Sequence, residues 1–325
     1  MAWEVICADD EETKQLGNDE AITSLCEVIK LALLEPTEKL NVETIPKVRS
    51  CLSYGYTCLS LGSSLFIFDE NSSLIANVSL ENEIDILICL PGAQFLLIGD
   101  ASGKIHCFHF ETKQIILSKK IILSEGSDAT FLTGKSFPTS DGVSVFILTS
   151  GGKIIELSSL DVEALQEGIR VKDIPYLASL KSSLSLKFHS ITVPSKILCA
   201  DFLLHGTSNL FVWLGLSDGL YVWTLKTSLT TNDVALKCIS NIHCSYVSQL
   251  FNGRYVVALD DKKQMKILCG TSGIELWNED TDDNIQFNII QIQQCSLDNF
   301  SLQLLLLLNK EDEFSFYILN IPILF

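Results

Sequence analysis

The sequence predicts an all-β fold, a single β-propeller, because one strand-pair pattern recurs and the composition can fill a large core. A short β-rich apolar run, a turn with Gly, Asp or Ser, and a second β-rich run repeat along the chain. The copies can be phased on Leu61, Gly99, Ser150, Gly215, Leu259 and Leu308, which lie 38 to 65 residues apart. Most steps approach the roughly 40–50 residues of a four-stranded blade. Hydrophobic residues make up 47% of the 325 residues. We therefore predict one domain over 1–325, with seven four-stranded blades.

Six hairpins carry this prediction. Each has alternating apolar residues on both sides of a polar or glycine-containing turn, which is typical of antiparallel strand pairs. The predicted hairpins span 58–68, 95–110, 145–157, 210–225, 255–268 and 302–319. Each hairpin is expected to supply the inner or middle strands of one blade.

The longest step between hairpins needs an insertion. Residues 161–168 begin with Asp161 as a helix N-cap, continue with helix formers and stop at Gly168, which predicts a short helix. The segment 181–193 that follows alternates Leu184, Leu186 and Phe188, which predicts an outer strand.

The N-terminal residues are expected to complete a seventh blade, with strands over 3–8 and 25–34. An alternative stays open here, because the apolar residues between Ile22 and Leu33 also fit a helical stripe. The need to close a ring favours strands, since pairing the first and last strands removes exposed sheet edges.

The charge balance excludes several classes of partner. The formal charge is −17, with 40 acidic and 23 basic residues, which repels nucleic acid phosphates and anionic lipid surfaces.

The longest apolar run, 302–308, is far too short to span a bilayer, so we predict no membrane span. Eleven cysteines without paired spacing indicate a reducing compartment. We expect protein partners and a cytoplasmic location.

Local motifs give no support for catalysis or for a cofactor. His106, Cys107 and His109 lie on one strand, where alternation sends positions three apart to opposite faces, so a shared metal is not expected. The same holds for His243 and Cys244 near Cys238. Nucleophile elbows and phosphate-binding glycine loops are missing from the sequence. The sequence therefore predicts a protein that is not an enzyme.

Two smaller features of the sequence are its tryptophans and an acidic run near the N-terminus. Trp213 and Trp223 are expected to face each other across one hairpin as a packed pair, and Trp277 is expected to pack within a blade. The acidic run before Thr13 makes this threonine a candidate phosphorylation site for an acidophilic kinase. A plain solvated arm is the favoured interpretation of that segment.

The segment 82–114 resembles the matching stretch of Rod (Rough deal) proteins. The similar features are an acidic start with Asp85, the Phe-Leu-Leu-Ile-Gly strand at 95–99 and the Thr-Lys-Gln turn at 112–114. Weaker similarity extends through most of the chain. The WD-repeat pairs Gly-His and Trp-Asp are absent at the repeat ends, so peptide-site rules from that class are not transferred.

The resemblance implies the N-terminal propeller of a longer scaffold subunit, followed by an α-solenoid, in the Rod–Zwilch–Zeste-white (RZZ) complex of the outer kinetochore. Implied partners are Zwilch, Spindly, the Zeste-white subunit through the rest of the chain, and dynein indirectly. The implied roles are corona assembly, Spindly and dynein recruitment and spindle assembly checkpoint signalling, with mitotic recruitment to kinetochores and the spindle. An alternative is a propeller adaptor of a trafficking or coat-type protein.

Overall fold

The alternating apolar pattern forms strands throughout the part of the chain that the structure describes. The structure is a computed structural model. It describes residues 3–7, 27–36, 48–53, 55–69, 73–121, 130–140, 142–162, 185–206, 209–226, 235–262, 264–278, 288–297, 301–310 and 313–322. The strands are β1 (Trp3–Cys7), β2 (Glu27–Pro36), β3 (Val48–Ser53), β4 (Tyr56–Leu61), β5 (Ser64–Phe68), β6 (Leu74–Ser79), β7 (Ile84–Cys89), β8 (Phe95–Asp100), β9 (Lys104–His109), β10 (Gln114–Lys120), β11 (Phe131–Thr139), β12 (Gly142–Thr149), β13 (Lys153–Leu160), β14 (Ser185–Ser190), β15 (Ile197–His205), β16 (Asn209–Leu216), β17 (Gly219–Lys226), β18 (Ala235–Ser240), β19 (Cys244–Leu250), β20 (Tyr255–Asp260), β21 (Met265–Cys269), β22 (Glu275–Asn278), β23 (Asn288–Leu297), β24 (Ser301–Lys310) and β25 (Glu313–Pro322).

The chain divides into two compact units, and residues 82–280 form the larger one. It contains four antiparallel sheets of four strands each: β7 to β10, β11 to β14, β15 to β18 and β19 to β22. In each sheet the strands follow one another in chain order. The first strand of each sheet packs beside the first strand of the next sheet, so β7, β11, β15 and β19 are the inner strands of this unit.

Apolar side chains on both sheet faces form the core of the larger unit. One cluster joins the first and second sheets around Phe95 and Ile147. A second joins the second and third sheets around Phe202 and Trp223. A third joins the third and fourth sheets around Trp213. Because both faces of the middle sheets are covered, their central strands are almost wholly apolar.

The smaller unit combines residues 1–81 and 281–325. Strands β3 to β6 form one four-stranded sheet, and a five-stranded sheet has the order β1-β2-β25-β24-β23. In the second sheet β2 pairs antiparallel with β25, so backbone hydrogen bonds join the N-terminal and C-terminal segments. The inner strand β23 packs beside β3. The pairing of β2 with β25 protects an edge of β25 that would otherwise be open.

The six predicted hairpins are confirmed. Five of them form the two middle strands of a four-stranded sheet, and the last, β24 and β25, lies between β23 and β2 in the five-stranded sheet. The predicted outer strand after the insertion is confirmed as β14, and the N-terminal alternative is settled in favour of strands by β1 and β2. The prediction of seven four-stranded sheets is wrong for the described strands, which form six sheets. The reason is that β1 and β2 add to the edge of β25 and so extend the last sheet instead of building another.

The predicted helix over 161–168 falls mostly outside the described residues. Only Asp161 and Val162 of that segment are described, so the helix stays a prediction.

A buried carboxylate links three inner strands of the larger unit. Asp201 on β15 accepts hydrogen bonds from the Lys135 ammonium on β11, with Nζ 2.8 Å from Oδ1. Its Oδ2 accepts from the backbone N–H of Gln249 on β19 at 2.8 Å and from the Ser248 hydroxyl at 3.3 Å. The Asp201 side chain is 11% exposed and that of Lys135 is 30% exposed. One side chain therefore ties three consecutive sheets together at their inner strands.

Replacing Asp201 with Ala should lower the free energy of unfolding by about 2–4 kcal/mol. The buried Gln249 amide would lose its acceptor, and an unsatisfied buried donor costs about 1–3 kcal/mol. Loss of the paired charge adds to this, although the partly exposed Lys135 ammonium can be hydrated. Urea unfolding of the full chain measures the change. The exposed Asp261 provides the control, since its change to Ala should shift stability by less than about 0.5 kcal/mol. Equal effects of the two substitutions would contradict the role of Asp201.

Candidate functional site

A difference in strand length leaves part of a sheet face uncovered in the larger unit. Strands β15, β16 and β17 have 9, 8 and 8 residues. Strands β20, β21 and β22 of the next sheet have 6, 5 and 4 residues. At about 3.3 Å per residue, β16 outreaches β20 by roughly 7 Å. The ends of the longer strands therefore form the floor of a groove that the shorter sheet cannot cover.

The groove has a volume of about 440 Å³, within the range of about 300–1,000 Å³ that is usual for ligand pockets. Its floor comes from all four strands β15 to β18, and its wall comes from turns that precede β20 and follow β21. The described residues that line it are Leu203, His205, Phe211, Trp213, Val222, Thr224, Ala235, Lys237, Ile239, Asn252, Gly253, Gly270 and Thr271. Residues two apart on a strand share a face, so the residues of β15 and β16 that line the floor all have odd numbers.

Trp213 is the fixed aromatic centre of the groove floor. Its ring is buried, and its Nε1–H donates to the carbonyl oxygen of Gly270 at 3.0 Å. The ring of Phe211 stacks beside it with centroids 6.3 Å apart. Gly253 approaches so closely that an added Cβ would lie 2.5 Å from Trp213 Cη2. Glycine is therefore required at this position. The contacts with Gly253 and Gly270 hold the indole in place against the wall of the groove.

The groove differs in charge from the chain as a whole. Lys237, which is exposed on the outer strand β18, carries the one formal charge among the described lining residues. Its ammonium donates to the carbonyl oxygen of Thr271 at 3.4 Å, across the groove. The lining contains His205 but no carboxylate. In a chain of net charge −17, this surface is therefore apolar with a local positive charge.

A thiol with two hydroxyl neighbours, Cys269, lies next to the groove wall. Cys269 Sγ is 3.5 Å from the Thr271 hydroxyl oxygen. Hydrogen bonds from the side chains of Ser272 and Thr271 stabilise the thiolate and lower the pKa of Cys269 to about 6. By contrast, burial raises the pKa of the Cys107 thiol to about 12. Near neutral pH, Cys269 is therefore expected to be mostly thiolate, the reactive form, whereas Cys107 stays protonated.

A serine, a histidine and an aspartate also form a chain in the sheet β7 to β10. His106 Nδ1 lies 2.7 Å from Ser118 Oγ, and His106 Nε2 lies 3.1 Å from Asp100 Oδ2. However, Asp100 Oδ1 accepts from the backbone N–H groups of Ser102 and Lys104 at 2.9 and 3.0 Å. Burial opposes ionisation of Asp100, but hydrogen bonds from the Ser102 hydroxyl, from His106 and from the Lys104 N–H outweigh it and lower the pKa of the carboxyl.

The same turn geometry recurs at the end of β20. Asp260 Oδ1 accepts from the backbone N–H groups of Lys262 and Gln264, both at 2.9 Å. The Lys266 ammonium lies 3.8 Å from Asp260 Oδ2, at the position that His106 occupies in the other copy. Because lysine replaces histidine in this copy, the shared role is to cap the turn between the two middle strands. That structural role accounts for Asp100, and His106 is the partner of its second carboxylate oxygen.

The histidines on β9 and beside Cys244 have separate surroundings. His106 contacts Asp100 and Ser118, whereas His109 Nδ1 lies 3.0 Å from the Thr112 hydroxyl. Cys244 is buried while His243 is exposed. Within the described ranges, no group of three or more His, Cys, Asp or Glu residues is placed to hold a metal ion. Those ranges also contain no helix with the length and apolar character needed to cross a membrane.

The predicted pairing of Trp213 with Trp223 is wrong. A two-residue turn, Ser217 and Asp218, sets a register in which Trp213 lies opposite Val222 and Trp223 lies opposite Val212. A difference of one residue sends the two indoles to opposite faces of the sheet. Trp213 packs toward the fourth sheet and Trp223 toward the second, and both are buried, as their predicted packing role requires. Thr13 and the Trp277 side chain lie outside what the structure describes.

Comparison with known proteins identifies the family of the chain. The sequence model of the family described as "KNTC1, N-terminal" matches residues 17–324. The chain belongs to this family. A curated relative, human "Kinetochore-associated protein 1", is 22% identical over 151 residues, which is 45% of this chain and 7% of the human protein. The family match confirms the Rod resemblance predicted from residues 82–114.

Solved structures show the fold of this KNTC1 N-terminal family member. The β-propeller domain of Cps50 (Swd1) from Myceliophteria thermophila gives a TM-score of 0.51 at 9% identity, covering 87% of this chain and 98% of that domain. The structure of U3-55K gives a TM-score of 0.55 at 12% identity, covering 92% and 91%. The predicted β-propeller class is therefore confirmed.

The Cys269 thiol of this KNTC1 N-terminal domain should react with iodoacetamide along a pH profile that has its midpoint near 6. Peptide mapping by mass spectrometry after brief labelling across about pH 5 to 9 measures this profile. Changing Ser272 to Ala should raise the midpoint, since it removes the larger of the two stabilising hydrogen bonds. Buried Cys107 should stay unlabelled in the folded chain. A Cys269 midpoint above about 8 would show that the hydroxyl groups do not stabilise the thiolate.

Proposed function

We propose that this chain is a non-catalytic protein-interaction and scaffold domain of a kinetochore assembly. The family match over residues 17–324 carries the proposal. Its support from the structure is an apolar groove with a fixed aromatic floor, which is a common form of peptide-binding surface. Asp100 at the end of β8 caps a turn, and its second oxygen is hydrogen-bonded to His106, which fits a role without catalysis.

The proposed assembly is the RZZ complex, with Zwilch and Spindly as direct partners and the Zeste-white subunit bound through the rest of the protein. In this role the chain supports corona assembly, dynein recruitment and spindle assembly checkpoint signalling. The protein would be cytoplasmic and recruited to kinetochores and the spindle in mitosis. The name of the human relative and the Rod-like segment 82–114 support this assignment. The matched region is a small part of that relative, so the roles of the whole protein belong to the proposal.

The proposal treats residues 1–325 as one propeller domain. The antiparallel pairing of β2 with β25 supports it, because this pairing joins the first and last segments of the chain within a single sheet. Coverage of 87% and 92% of the chain by the two solved propeller structures also supports a single domain.

Co-purification with Zwilch tests the proposed function. The 325-residue chain and Zwilch, expressed together, should elute as one complex in size-exclusion chromatography at about physiological ionic strength. An unrelated propeller of similar size and acidity is the control and should elute apart from Zwilch. If the full-length subunit binds Zwilch and this chain does not under the same conditions, the proposed interaction role of the domain is wrong.

A further inference from the structure

Two neighbouring turns of the sheet β19 to β22 expose large apolar side chains. Phe251, in the turn from β19 to β20, is 36% exposed, and Ile274, in the turn from β21 to β22, is 65% exposed. A backbone hydrogen bond joins the two turns, since the Arg254 carbonyl oxygen accepts from the Gly270 N–H at 2.9 Å. Phe251, Arg254 and Ile274 are called the turn surface below.

Phe251 has a backbone conformation that a bulky side chain disfavours. Its φ angle is 49°, and Asn252 and Gly253 follow with φ angles of 54° and 79°. This left-handed region suits glycine and asparagine, whereas a phenylalanine there is uncommon. The Phe251 ring meets the Tyr255 ring edge-on, with centroids 6.0 Å apart. Because residues in such conformations cluster at binding sites, this exposed ring indicates a contact surface.

Arg254 supplies a positive charge beside the same Tyr255 ring. Its guanidinium carbon lies 5.4 Å from the centre of that ring, which is a cation–π arrangement. The residue is exposed, and within the ranges that the structure describes no carboxylate forms an ion pair with it. A guanidinium presents a planar fork of N–H groups that can donate two parallel hydrogen bonds to one carboxylate. Arg254 is therefore positioned to bind a carboxylate from outside the chain.

The charge around the turn surface is locally positive, although the chain as a whole carries −17. The Lys237 ammonium donates to the carbonyl oxygen of Thr271, in the second of the two turns, at 3.4 Å. The Glu275 carboxylate is paired with the Lys266 ammonium at 3.3 Å. Asp260 lies at the far end of β20, about 17 Å along the strand. Charges at that distance are largely screened at physiological ionic strength, where the Debye length is about 8 Å. A partner's carboxylate therefore meets more attraction than repulsion here.

From these observations we infer that the turn surface binds an acidic and apolar segment of a partner protein. An Asp or Glu carboxylate of the segment pairs with Arg254, and an aromatic or large aliphatic side chain packs on Phe251 and Ile274. Exposed aromatic and arginine side chains are the types that dominate binding energy at protein interfaces. The inference rests on the proposed role in protein interaction and gives the partner segment a defined chemistry. All residues of the turn surface belong to one unit of the chain.

Selection from a peptide library tests the inference. Random twelve-residue peptides displayed on phage are selected on the full 325-residue chain and, in parallel, on the same chain with Arg254→Glu. We expect the peptides enriched only on the unchanged chain to carry Asp or Glu within three positions of an aromatic or large aliphatic residue. The most enriched peptide is then labelled with fluorescein and measured by fluorescence anisotropy. Replacing its acidic residue with the amide, or its apolar residue with Ala, should weaken binding at least about tenfold.

Matched variants of the chain assign the binding to the turn surface. Arg254→Glu should weaken binding of the selected peptide about tenfold or more, and Arg254→Lys about threefold or more, because lysine keeps the charge but lacks the planar fork. Lys196→Glu makes the same change in net charge before β15 and should alter binding less than about twofold. Phe251→Ala should weaken binding about tenfold, whereas Phe188→Ala, which removes another exposed ring on β14, should not. Thermal unfolding should show all five variants folded, because these residues are exposed.

The outcomes separate this inference from the proposed function. The inference is overturned if no peptide is enriched over the Arg254→Glu chain, or if the enriched peptides lack Asp and Glu. Equal effects of Arg254→Glu and Lys196→Glu, or of Phe251→Ala and Phe188→Ala, also overturn it. Zwilch co-purification is measured independently: a chain that binds Zwilch but selects no acidic peptide loses only the inference. A chain that selects acidic peptides but fails to bind Zwilch, where the full-length subunit binds, loses the proposed function and keeps the turn surface.

Discussion

The contacts of Asp201 constrain the larger unit, because they position one sheet against the next. Asp201 accepts from the backbone N–H of Gln249, and the Gln249 side-chain oxygen accepts from the Gly253 N–H at 2.9 Å. Gly253 lies against the Trp213 ring, whose Nε1–H donates to Gly270. A continuous set of contacts thus runs from the inner strands to the groove floor. The shape of the groove depends on this set, since it fixes the wall relative to the floor.

This arrangement separates the residues that hold the fold from those that meet a partner. The polar groups of Asp201, Ser248 and Gln249 are buried and hydrogen-bonded, and changing them costs stability. Lys237 and Ala235 lie at the exposed rim on β18, where substitution has little effect on packing. The specificity of the groove can therefore change without loss of the sheet-to-sheet contacts. The Thr271 and Ser272 hydroxyls, which follow β21 beside the wall, hydrogen-bond the Cys269 sulfur. The pKa of Cys269 therefore depends on the folded arrangement of this turn.

Local signals in the sequence were enough to predict most strands, but not the contacts between sheets. The six hairpins follow from alternation and turn chemistry within about 15 residues, which is the range over which such signals act. The Asp201 network joins residues 66 and 48 positions apart in sequence, and no local pattern encodes such pairs. The Trp213 register was missed because a two-residue turn shifts every partner by one position. The number of sheets was missed because strands at the start of the chain extended the last sheet.

Two features of the site do leave a trace in the sequence. Asp100 and Asp260 end the second strand of their sheets, and each accepts from the backbone N–H four residues later. The Thr149 hydroxyl likewise accepts from the Lys153 N–H at 3.0 Å. The repeat therefore keeps a turn-capping side chain at this position, but the residue type differs between copies. The groove follows from the lengths of neighbouring hairpins: β16 and β17 continue their alternation for eight residues, whereas β20 and β21 stop at six and five. Where a sheet with long strands packs against a sheet with short strands, the long strands extend past the short ones. Part of the face of the longer sheet is then left uncovered. Comparing the lengths of adjacent hairpins is therefore a way to find such grooves before a structure is known.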